Sequence, residues 1–267
     1  MKSLNMYCLS IHDNLYEKIK SLNYIPVGLG DRIYNKGWLR DNTLNNISKK
    51  NSYYGEYTFH YWFWKNGLME IKDNTWIGFC AYRRFWLNKE SNSLKINDLN
   101  KDVLLEIPDE WKNYDCILGN KIDLSNLRLM KLIKYGKLAL FRNPKAIIKT
   151  GRSIRFQFDM FHGYGVLDKA INLLEKKDRE DFRIFVRDNN SYNQGNMFIC
   201  KSKNIINEYY KTVFHWLSEC EKIFGFNNTN YETIRIYAFL AERFLPYWFN
   251  KYTKPKEWPI VYHDIAK

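Results

Sequence analysis

Short apolar runs alternate with longer amphipathic or polar stretches, chiefly in the first half of the chain. The runs 6–11, 75–82 and 114–119 have strand length and turn residues at their ends, so they predict buried β-strands. Residues 24–30 predict another strand that breaks into a glycine turn. Residues 31–52 are polar and predict a loop.

Helical patterns follow, with two further strands near the end of the chain. Helices are predicted at 53–66, 128–141, 157–176, 203–224 and 230–245, and strands at 196–201 and 258–262. Ser202 is placed to cap the helix 203–224, and Thr229-x-x-Glu232 resembles a capping box. Strands that alternate with helices indicate an α/β layered fold.

In an open α/β sheet, ligands bind outside the carboxyl ends of the strands. The predicted site therefore lies in the loops after Ile11, Val27, Tyr82 and Leu118. His12 and Asp13 directly follow the first strand, where such folds usually bind a nucleotide.

The composition describes a globular protein with an unusual charge. The chain has 267 residues, enough for one large domain or two small ones, and 45% are hydrophobic. Its 42 basic and 29 acidic residues give +13, which favours nucleic acid, a nucleotide diphosphate or an anionic membrane. A compositional bias explains the surface lysines equally well. The 17% of aromatic residues suit a core or stacking surfaces for bases and sugars.

The five cysteines show no CxxC motif and no metal-like spacing with histidine. We expect small buried side chains in a reducing compartment. The first residues do not resemble a signal peptide, and no apolar run approaches the roughly 20 residues of a membrane span. The expectation is a soluble or peripheral protein in the cytoplasm.

Paired arginines end the apolar run WIGFCAY. Arg83 and Arg84 are forked cations that suit phosphate or carboxylate. Adjacent residues of an extended segment point to opposite faces, so one arginine is expected to face a ligand while the other braces the scaffold. The alternative is that both form ion pairs within the fold.

Polar groups that precede the aromatic helix could bind ribose or sugar hydroxyls. They are Asp41, Asn46, Ser48 and Asn51. Asn51 or Ser52 could instead be the N-cap of that helix. Glu56 and His60 lie four residues apart on one helix face, where they could contact acceptor or donor, or form a buried pair that orients the helix.

A series of motifs lies along the chain, namely Ile25-Pro26-Val27-Gly28, Asn46-Ile47-Ser48, Lys50-Asn51, Tyr54, Glu56, Thr58, Tyr61-Trp62, Trp64-Lys65-Asn66, Ile77-Gly78, Cys80, Tyr82-Arg83-Arg84-Phe85, His162, Asn196-Met197-Phe198-Ile199, Arg235 and Glu242-Arg243-Phe244. Together they resemble the DUF4422 family of bacterial capsular and O-antigen polysaccharide glycosyltransferases. These blocks span most of the chain in the order of the family.

The resemblance implies a GT-A-like fold and a nucleotide-sugar-dependent hexosyltransferase. A Rossmann-like nucleotide-binding half (1–125) would precede a helical acceptor-binding half (126–267). The donor would be a UDP-sugar, with galactofuranose the most plausible sugar, and the acceptor a growing or lipid-linked glycan. Peripheral membrane contact follows, and the aromatic and basic stretch PYWFNKYTKPKEW (246–258) suits it unless it simply packs. Val27, Tyr82, Asn196 and Arg243 join the predicted nucleotide-sugar contacts.

Many GT-A enzymes hold a divalent metal with Asp-x-Asp, and this chain has no such motif. Asp178-Arg-Glu180 lies in a charged run and is expected on a solvated helix face, while Gly119-Asn120-Lys121 follows the strand YDCIL. We therefore predict no cofactor, with arginines stabilising the diphosphate. Distant carboxylates that meet in space would leave a metal possible.

The acceptor hydroxyl must lose a proton. Glu242, late in the chain, is the first candidate for the base and His162 the second. An ion pair of Glu242 with Arg235 or Arg243 is the competing interpretation, and a lone histidine is commonly structural.

Two other functions remain open. The charge and the aromatic residues would suit a non-catalytic protein that binds RNA or single strands, although no RRM, KH or OB signature is present. An inactive, scaffold-only member of the same family is the other alternative.

Overall fold

The computed structural model describes residues 3–88, 98–126, 136–148, 151–227 and 231–267. The chain forms two compact units. The first comprises residues 1–120, 195–211 and 249–267, and the second comprises 121–194 and 212–248. The first boundary lies near the predicted division at residue 125. The region 126–267, for which acceptor binding stays a prediction, is not one continuous unit, because residues 195–211 and 249–267 belong to the first unit.

The first unit is built on one large sheet. The strands of the described residues are β1 (Ser3–Ser10), β2 (Ile25–Gly28), β3 (Leu39–Arg40), β4 (Thr75–Ala81), β5 (Arg84–Trp86), β6 (Cys116–Gly119), β7 (Lys121–Asp123), β8 (Ser191–Asn193), β9 (Phe198–Cys200), β10 (Pro255–Trp258) and β11 (Ile260–Tyr262). Within the described residues the sheet runs in the order β10-β6-β9-β4-β1-β2-β3, with β5 paired to β4 and β11 to β5. Strands β7 and β8 form a separate antiparallel pair in the second unit.

The central strands are apolar because both faces of the sheet are covered. Strands β1 and β4 are parallel neighbours, and most of their residues are buried. This burial explains why the sequence predicts them as continuous apolar runs. The strands predicted at 24–30, 114–119 and 196–201 are also present as β2, β6 and β9. The predicted last strand is two strands, since Pro259 separates β10 from β11.

The helices are shorter than predicted in several places. In the part of the chain that the structure describes, they are α1 (Tyr16–Lys20), α2 (Asn51–Tyr54), α3 (Tyr57–Trp62), α4 (Leu99–Asp102), α5 (Lys137–Arg142), α6 (Ile154–His162), α7 (Val166–Asn172), α8 (Lys176–Asp188), α9 (Lys203–Phe224), α10 (Tyr231–Ile234) and α11 (Ile236–Tyr252). The start of the predicted helix 128–141 and the residue Thr229 of the predicted capping box lie outside the described residues.

The aromatic segment 53–66 is not one helix. Gly55 has a φ of +54°, which ends α2 and separates it from α3, and a π-helical turn follows at 63–67. Asn51 is the first residue of α2, whose N-cap is Lys50, so the capping role considered for Asn51 or Ser52 is wrong. Helix α3 is buried on most sides, as its aromatic composition predicts.

In the second unit, the predicted helix 157–176 is divided into α6 and α7. Gly163 and Gly165 have φ values of +109° and +73°, a region that favours glycine, so the chain turns between the two helices. His162 consequently ends a helix instead of lying near its start. The helix 203–224 has the predicted bounds, and the Ser202 hydroxyl accepts a hydrogen bond of 3.4 Å from the Ile205 amide, which confirms the cap.

Two surface predictions are wrong in part because some of the residues are interior. Glu180 is exposed as predicted, but Asp178 is completely buried, and its carboxylate accepts a 2.9 Å hydrogen bond from the Tyr247 hydroxyl. In the stretch 246–258, Trp248, Phe249 and Trp258 are buried, which favours packing, while Lys251, Tyr252 and Lys254 are exposed. All five cysteines are free and buried, as expected of small apolar side chains. Among the described residues no helix is both long and apolar enough to cross a bilayer.

Candidate functional site

One edge of the sheet in the first unit collects the predicted nucleotide-binding residues. Strands β1, β2, β3 and β4 are parallel, and β9 is antiparallel to β4 and enters the sheet from the same edge. The order reverses at β1, because β2 and β3 follow on one side of it and β4 lies on the other. Ligands of open α/β sheets bind at such a reversal. The groups at this edge are His12, Asp13, Asp31, Asp41, Tyr82, Arg83, Arg84 and Asn196.

The turn between β4 and β5 presents the paired arginines. Backbone amides of His263 and Ile265 donate hydrogen bonds of 3.1 Å and 3.2 Å to the carbonyls of Arg83 and Tyr82, so the C-terminal segment fixes the turn. Both arginines are half-buried, and the Arg83 guanidinium lies 5.6 Å from the centre of the Tyr82 ring.

No acidic side chain in the described ranges pairs with either guanidinium. Arg83 and Arg84 form no ion pair there, although other arginines do, for example Arg155 with Asp168 at 2.6 Å. The alternative interpretation, in which both arginines form ion pairs within the fold, therefore has no support from the described residues. Each half-buried guanidinium thus lacks a counter-ion in that part of the chain and is available to an anion such as a phosphate.

A glycine lies against the second arginine. Gly195 has a φ of +97°, and a Cβ atom built there would lie 3.5 Å from Nη1 of Arg84. The next residue, Asn196, has its carbonyl oxygen 3.3 Å from Nε2 of His60. The loop before β9 is therefore held beside Arg84 by a glycine backbone and by a buried imidazole.

His60 is an interior group. Its Nδ1 lies 2.7 Å from the Tyr210 hydroxyl, and because the Asn196 carbonyl can only accept, Nε2 carries the proton and Nδ1 accepts from Tyr210. Burial lowers the pKa of His60 to about 4, so the ring is neutral at physiological pH. The side chain has no exposed surface, which supports the helix-orienting interpretation. Its partners are Tyr210 and Asn196, and Glu56 is half-buried one turn earlier.

Asp41 holds two loops of the site together. Its carboxylate accepts hydrogen bonds of 2.7 Å from the Gly30 amide and 2.5 Å from the Thr58 hydroxyl. Asn51 donates from Nδ2 to the same hydroxyl at 3.0 Å. Burial raises the pKa of Asp41 to about 6. Because the side chain is completely buried, it braces the loops from inside and does not face solvent.

The other polar groups before the aromatic helix also bond within the loop. The Ser48 hydroxyl donates to Asp31 at 2.8 Å, and its amide donates to the Asn46 side chain at 3.1 Å. Ser48 is buried, while Asn46 and Asn51 are half-buried. The structure thus brings the predicted sugar-binding residues together as a hydrogen-bonded loop, with the two asparagines nearer its surface.

The loop after β1 contacts the arginine turn. The His12 ring lies edge-on to Tyr82, with 4.9 Å between ring centres. Asp13 accepts a 2.7 Å hydrogen bond from the Asn35 amide. Both residues are half-buried at the reversal of the sheet order. Val27, in contrast, is fully buried in β2, and its side chain belongs to the core. A nucleotide-sugar contact at this position is therefore restricted to the adjacent backbone.

The second unit contains its own polar cluster around a buried arginine. Arg243 forms an ion pair with Glu242 and donates a 2.8 Å hydrogen bond to the side-chain oxygen Oε1 of Gln157. Its guanidinium also lies 3.4 Å from Nε2 of His162. The His162 ring stacks on Phe239 at 3.9 Å. The two candidates for the base thus share one partner. Only 1% of the surface of Arg243 is exposed, and its guanidinium already binds Glu242. This pair is one of the two ion pairs that the sequence analysis considered for Glu242.

Comparison with known proteins identifies the family. Residues 7–254 match the domain of unknown function DUF4422. The chain belongs to the DUF4422 family. Among solved structures, the apo form of WbbM, described as a bifunctional glycosyltransferase, resembles this chain with a TM-score of 0.68 at 21% identity. The similarity covers 98% of this chain and 45% of WbbM, so the DUF4422 chain spans less than half of that protein. No curated protein matches.

The likeness to WbbM confirms the predicted α/β, GT-A-like fold. Two residues at this edge of the sheet were not predicted from the sequence. The Tyr34 hydroxyl donates to the Ser10 carbonyl at 2.8 Å and accepts from the Leu29 amide at 3.0 Å, so it joins the ends of β1 and β2. Arg40 lies 4.4 Å from the Tyr34 ring centre and donates to the Gly30 carbonyl. The sequence signal that could have indicated Tyr34 and Arg40 as site residues is the basic and aromatic character of residues 32–40.

The expected position of an acidic metal-binding pair is occupied by other residues. Strand β6 ends at Gly119, and Asn120 and Lys121 follow. Across the described ranges, no three His, Cys, Asp or Glu side chains are grouped so that they could hold a metal ion. This edge of the sheet in the DUF4422 protein presents the cationic guanidiniums of Arg83 and Arg84. That catalysis does not depend on a metal stays a prediction.

Proposed function

We propose that this DUF4422 protein is a glycosyltransferase that moves a hexose from a UDP-sugar to a growing or lipid-linked surface glycan. The observation that carries the proposal is the pair Arg83 and Arg84, half-buried at the reversal of the sheet order and without an ion-pair partner among the described residues. A diphosphate is the anion that fits two adjacent guanidiniums. The WbbM-like fold supports the same reaction class.

In the proposed reaction, the bond between the anomeric carbon and the diphosphate oxygen breaks as the acceptor oxygen bonds to that carbon. Negative charge grows on the leaving UDP, and Arg83 and Arg84 stabilise it there. The acceptor hydroxyl gives its proton to a base, for which Glu242 and then His162 are the candidates. Galactofuranose as the sugar, and capsule or O-antigen as the product, belong to the proposal through the family resemblance.

A nucleic-acid-binding function is the alternative from another class, and the charge of +13 favours it. Stacking of bases requires accessible aromatic rings. In this protein Trp76, Trp86, Trp111, Trp216 and Trp258 are all buried in the core. The buried tryptophans favour a structural use of aromatic residues and support the glycosyltransferase proposal over this alternative.

Thermal shift separates the two functions. A ligand that binds only the native state stabilises it by about 2.7 kcal/mol at a hundredfold excess over Kd. We expect UDP and UDP-sugars to raise the melting temperature, and single-stranded oligonucleotides of equal charge to have little effect. Arg83→Ala and Arg84→Ala should abolish the UDP shift.

Lys112→Ala is the matched control, because it removes one exposed charge from the turn before β6, at the opposite edge of the sheet. An oligonucleotide response without a nucleotide response would contradict the proposal.

A further inference from the structure

A basic segment of the second unit presents apolar side chains to solvent. The exposed fractions are 55% for Leu138, 81% for Phe141, 58% for Ile147 and 65% for Ile148. Leu138 and Phe141 are on helix α5, and Ile147 and Ile148 are at the end of the 3₁₀ turn 144–147. We call these four residues the apolar patch. Scattered exposed apolar residues are normal, but four within eleven positions are a cluster that requires an explanation.

The core does not explain the patch. In the same two segments Ala139 and Ala146 face inward and pack with Phe156 and Met160, and Leu140 is partly buried against them. The four large side chains of the patch stay exposed, which does not add to the stability of the second unit.

The backbone beneath the patch is held firmly. Arg152 is buried and donates hydrogen bonds of 3.1 Å and 3.2 Å to the carbonyls of Ala146 and Ile147, and one of 2.6 Å to the Ser125 carbonyl. Gly151 approaches the same turn so closely that a Cβ atom there would lie 2.2 Å from the Lys145 carbonyl oxygen. The exposed position of Ile147 and Ile148 is thus built into the fold.

Positive charge surrounds the patch. Between Asp123 and Asp159 the sequence contains nine Lys or Arg residues and no Asp or Glu. A cleft of about 490 Å³ in the same part of the second unit is lined by Arg142, Lys145, Arg155 and Arg187, together with Asp159 and Asp188. Arg155 and Arg187 are paired with acidic residues.

Two of the cleft cations remain available for an anion. Arg142 and Lys145 have no ion-pair partner in the described part of the chain. The Arg142 guanidinium lies 5.8 Å from the ring centre of Tyr164, which is itself 42% exposed. An aromatic ring and basic groups at the border of an apolar surface are typical of segments at a membrane interface.

We propose that the apolar patch docks on an anionic phospholipid bilayer, with lipid phosphates at Arg142 and Lys145. Acyl chains would cover Phe141 and the neighbouring aliphatic side chains, and the basic rim would meet the negative surface. Nucleic acid would satisfy the charges but would leave the aliphatic side chains in water. A second copy of the chain would bring two basic rims together, which is repulsive. The proposed function gives a reason for this docking, because its lipid-linked acceptor would lie in the membrane. Binding of the patch to a bilayer can be tested without glycosyl transfer.

Vesicle co-sedimentation of the full chain tests the proposal. We expect binding to phosphatidylglycerol–phosphatidylethanolamine vesicles and about tenfold weaker binding to phosphatidylcholine, since the attraction to the basic rim is lost. Phe141→Ser with Ile148→Ser should lower partitioning onto the anionic vesicles about tenfold. Arg142→Gln with Lys145→Gln should also lower it, and this pair leaves the apolar residues intact if the first pair affects folding.

Ile33→Ser with Leu44→Ser is the matched control, because these residues of the first unit are 96% and 78% exposed. This pair should bind vesicles like the unchanged protein. Absence of vesicle binding, equal loss in the control pair, or patch-dependent dimers in place of vesicle binding would overturn the proposal. The UDP thermal shift is measured on the same variants. A normal UDP response with no vesicle binding would reject only the docking, whereas vesicle binding without any UDP response would reject only the glycosyltransferase proposal.

Discussion

The carboxylate of Asp41 accepts a 2.7 Å hydrogen bond from the backbone amide of Gly30, so a buried acid joins the loops that follow β2 and β3. The Thr58 hydroxyl donates to the other carboxylate oxygen, which extends the connection to helix α3. Burial disfavours the charged form, and these hydrogen bonds only partly compensate. This loop connection should therefore depend on pH.

We expect Asp41→Asn to remove that pH dependence. The folded-state pKa of about 6 lies above the ordinary 3.8, so the contribution of Asp41 to stability is fully present below about pH 4 and is lost as the pH rises through about 6. The difference corresponds to at most about 3 kcal/mol. Between pH 4 and pH 7, urea denaturation should show Asp41→Asn gaining stability relative to the unchanged protein. Asp31→Asn, at the exposed carboxylate that follows Gly30 in the loop after β2, is the control. A difference that stays constant with pH would contradict this prediction.

Substitution of the paired arginines should remove transfer and keep the fold. Arg83→Ala or Arg84→Ala should lower kcat/KM roughly 100-fold or more, because contacts to developing charge matter most in the transition state. Circular dichroism and melting temperature should stay close to those of the unchanged protein, since neither guanidinium has an ion-pair partner in the described residues.

Lys112→Ala controls for the loss of one positive charge. Near-normal turnover in both folded arginine variants would show that the diphosphate is stabilised elsewhere. Loss of the fold in both would instead support a scaffold role.

The sequence predicts the elements whose signal is local. Strands β1 and β4 are continuous apolar runs because they lie at the centre of a sheet covered on both faces. Helix α9 has its predicted bounds because a long amphipathic stripe and the Ser202 cap agree. The breaks at Gly55 and Gly163 were not predicted, since a single glycine is compatible with a helix until its φ is known.

Long-range partners explain the errors about surfaces. Asp178 belongs to a charged run, and its burial depends on Tyr247, which is 69 positions later in the chain. The contacts of His60 likewise come from Tyr210 and Asn196, more than a hundred residues away. No local pattern contains this information. For the candidate site, the arginine pair could be predicted from its chemistry, whereas the brace formed by Asp41, Thr58 and Gly30 required the fold.

Glu242→Gln tests the first candidate for the base. The substitution keeps a hydrogen-bond acceptor beside Arg243 but removes the proton-accepting carboxylate. We expect kcat to fall about 100-fold at saturating donor and acceptor, and the loss to persist at temperatures where the variant is folded. Because the variant also leaves the Arg243 charge buried without its counter-ion, we expect a stability loss of about 3–5 kcal/mol.

The histidine of the same cluster provides the comparison. His162→Gln should reduce activity less, since His162 is the second candidate and stacks on Phe239. Folded Glu242→Gln protein with nearly full turnover would show that Glu242 is only the structural partner of Arg243. A larger loss in His162→Gln than in Glu242→Gln would transfer the role of base to His162.

Transfer should not require a tightly held divalent metal. Mg²⁺ and Mn²⁺ need oxygen ligands, chiefly carboxylates, and β6 is followed by Asn120 and Lys121 where a carboxylate pair was expected. Arg83 and Arg84 would supply the positive charge that a metal otherwise brings to a diphosphate. Protein dialysed exhaustively against EDTA should therefore keep most of its activity in excess chelator, and added Mn²⁺ should raise the rate little. The three carboxylates that sequence distance alone left open are Asp13, Asp41 and Asp115. Asp41 is completely buried, Asp115 is paired with Lys201 at 2.7 Å, and Asp13 accepts a 2.7 Å hydrogen bond from the Asn35 amide. Activity that disappears with EDTA and returns with Mn²⁺ would show that the diphosphate is held through a metal after all.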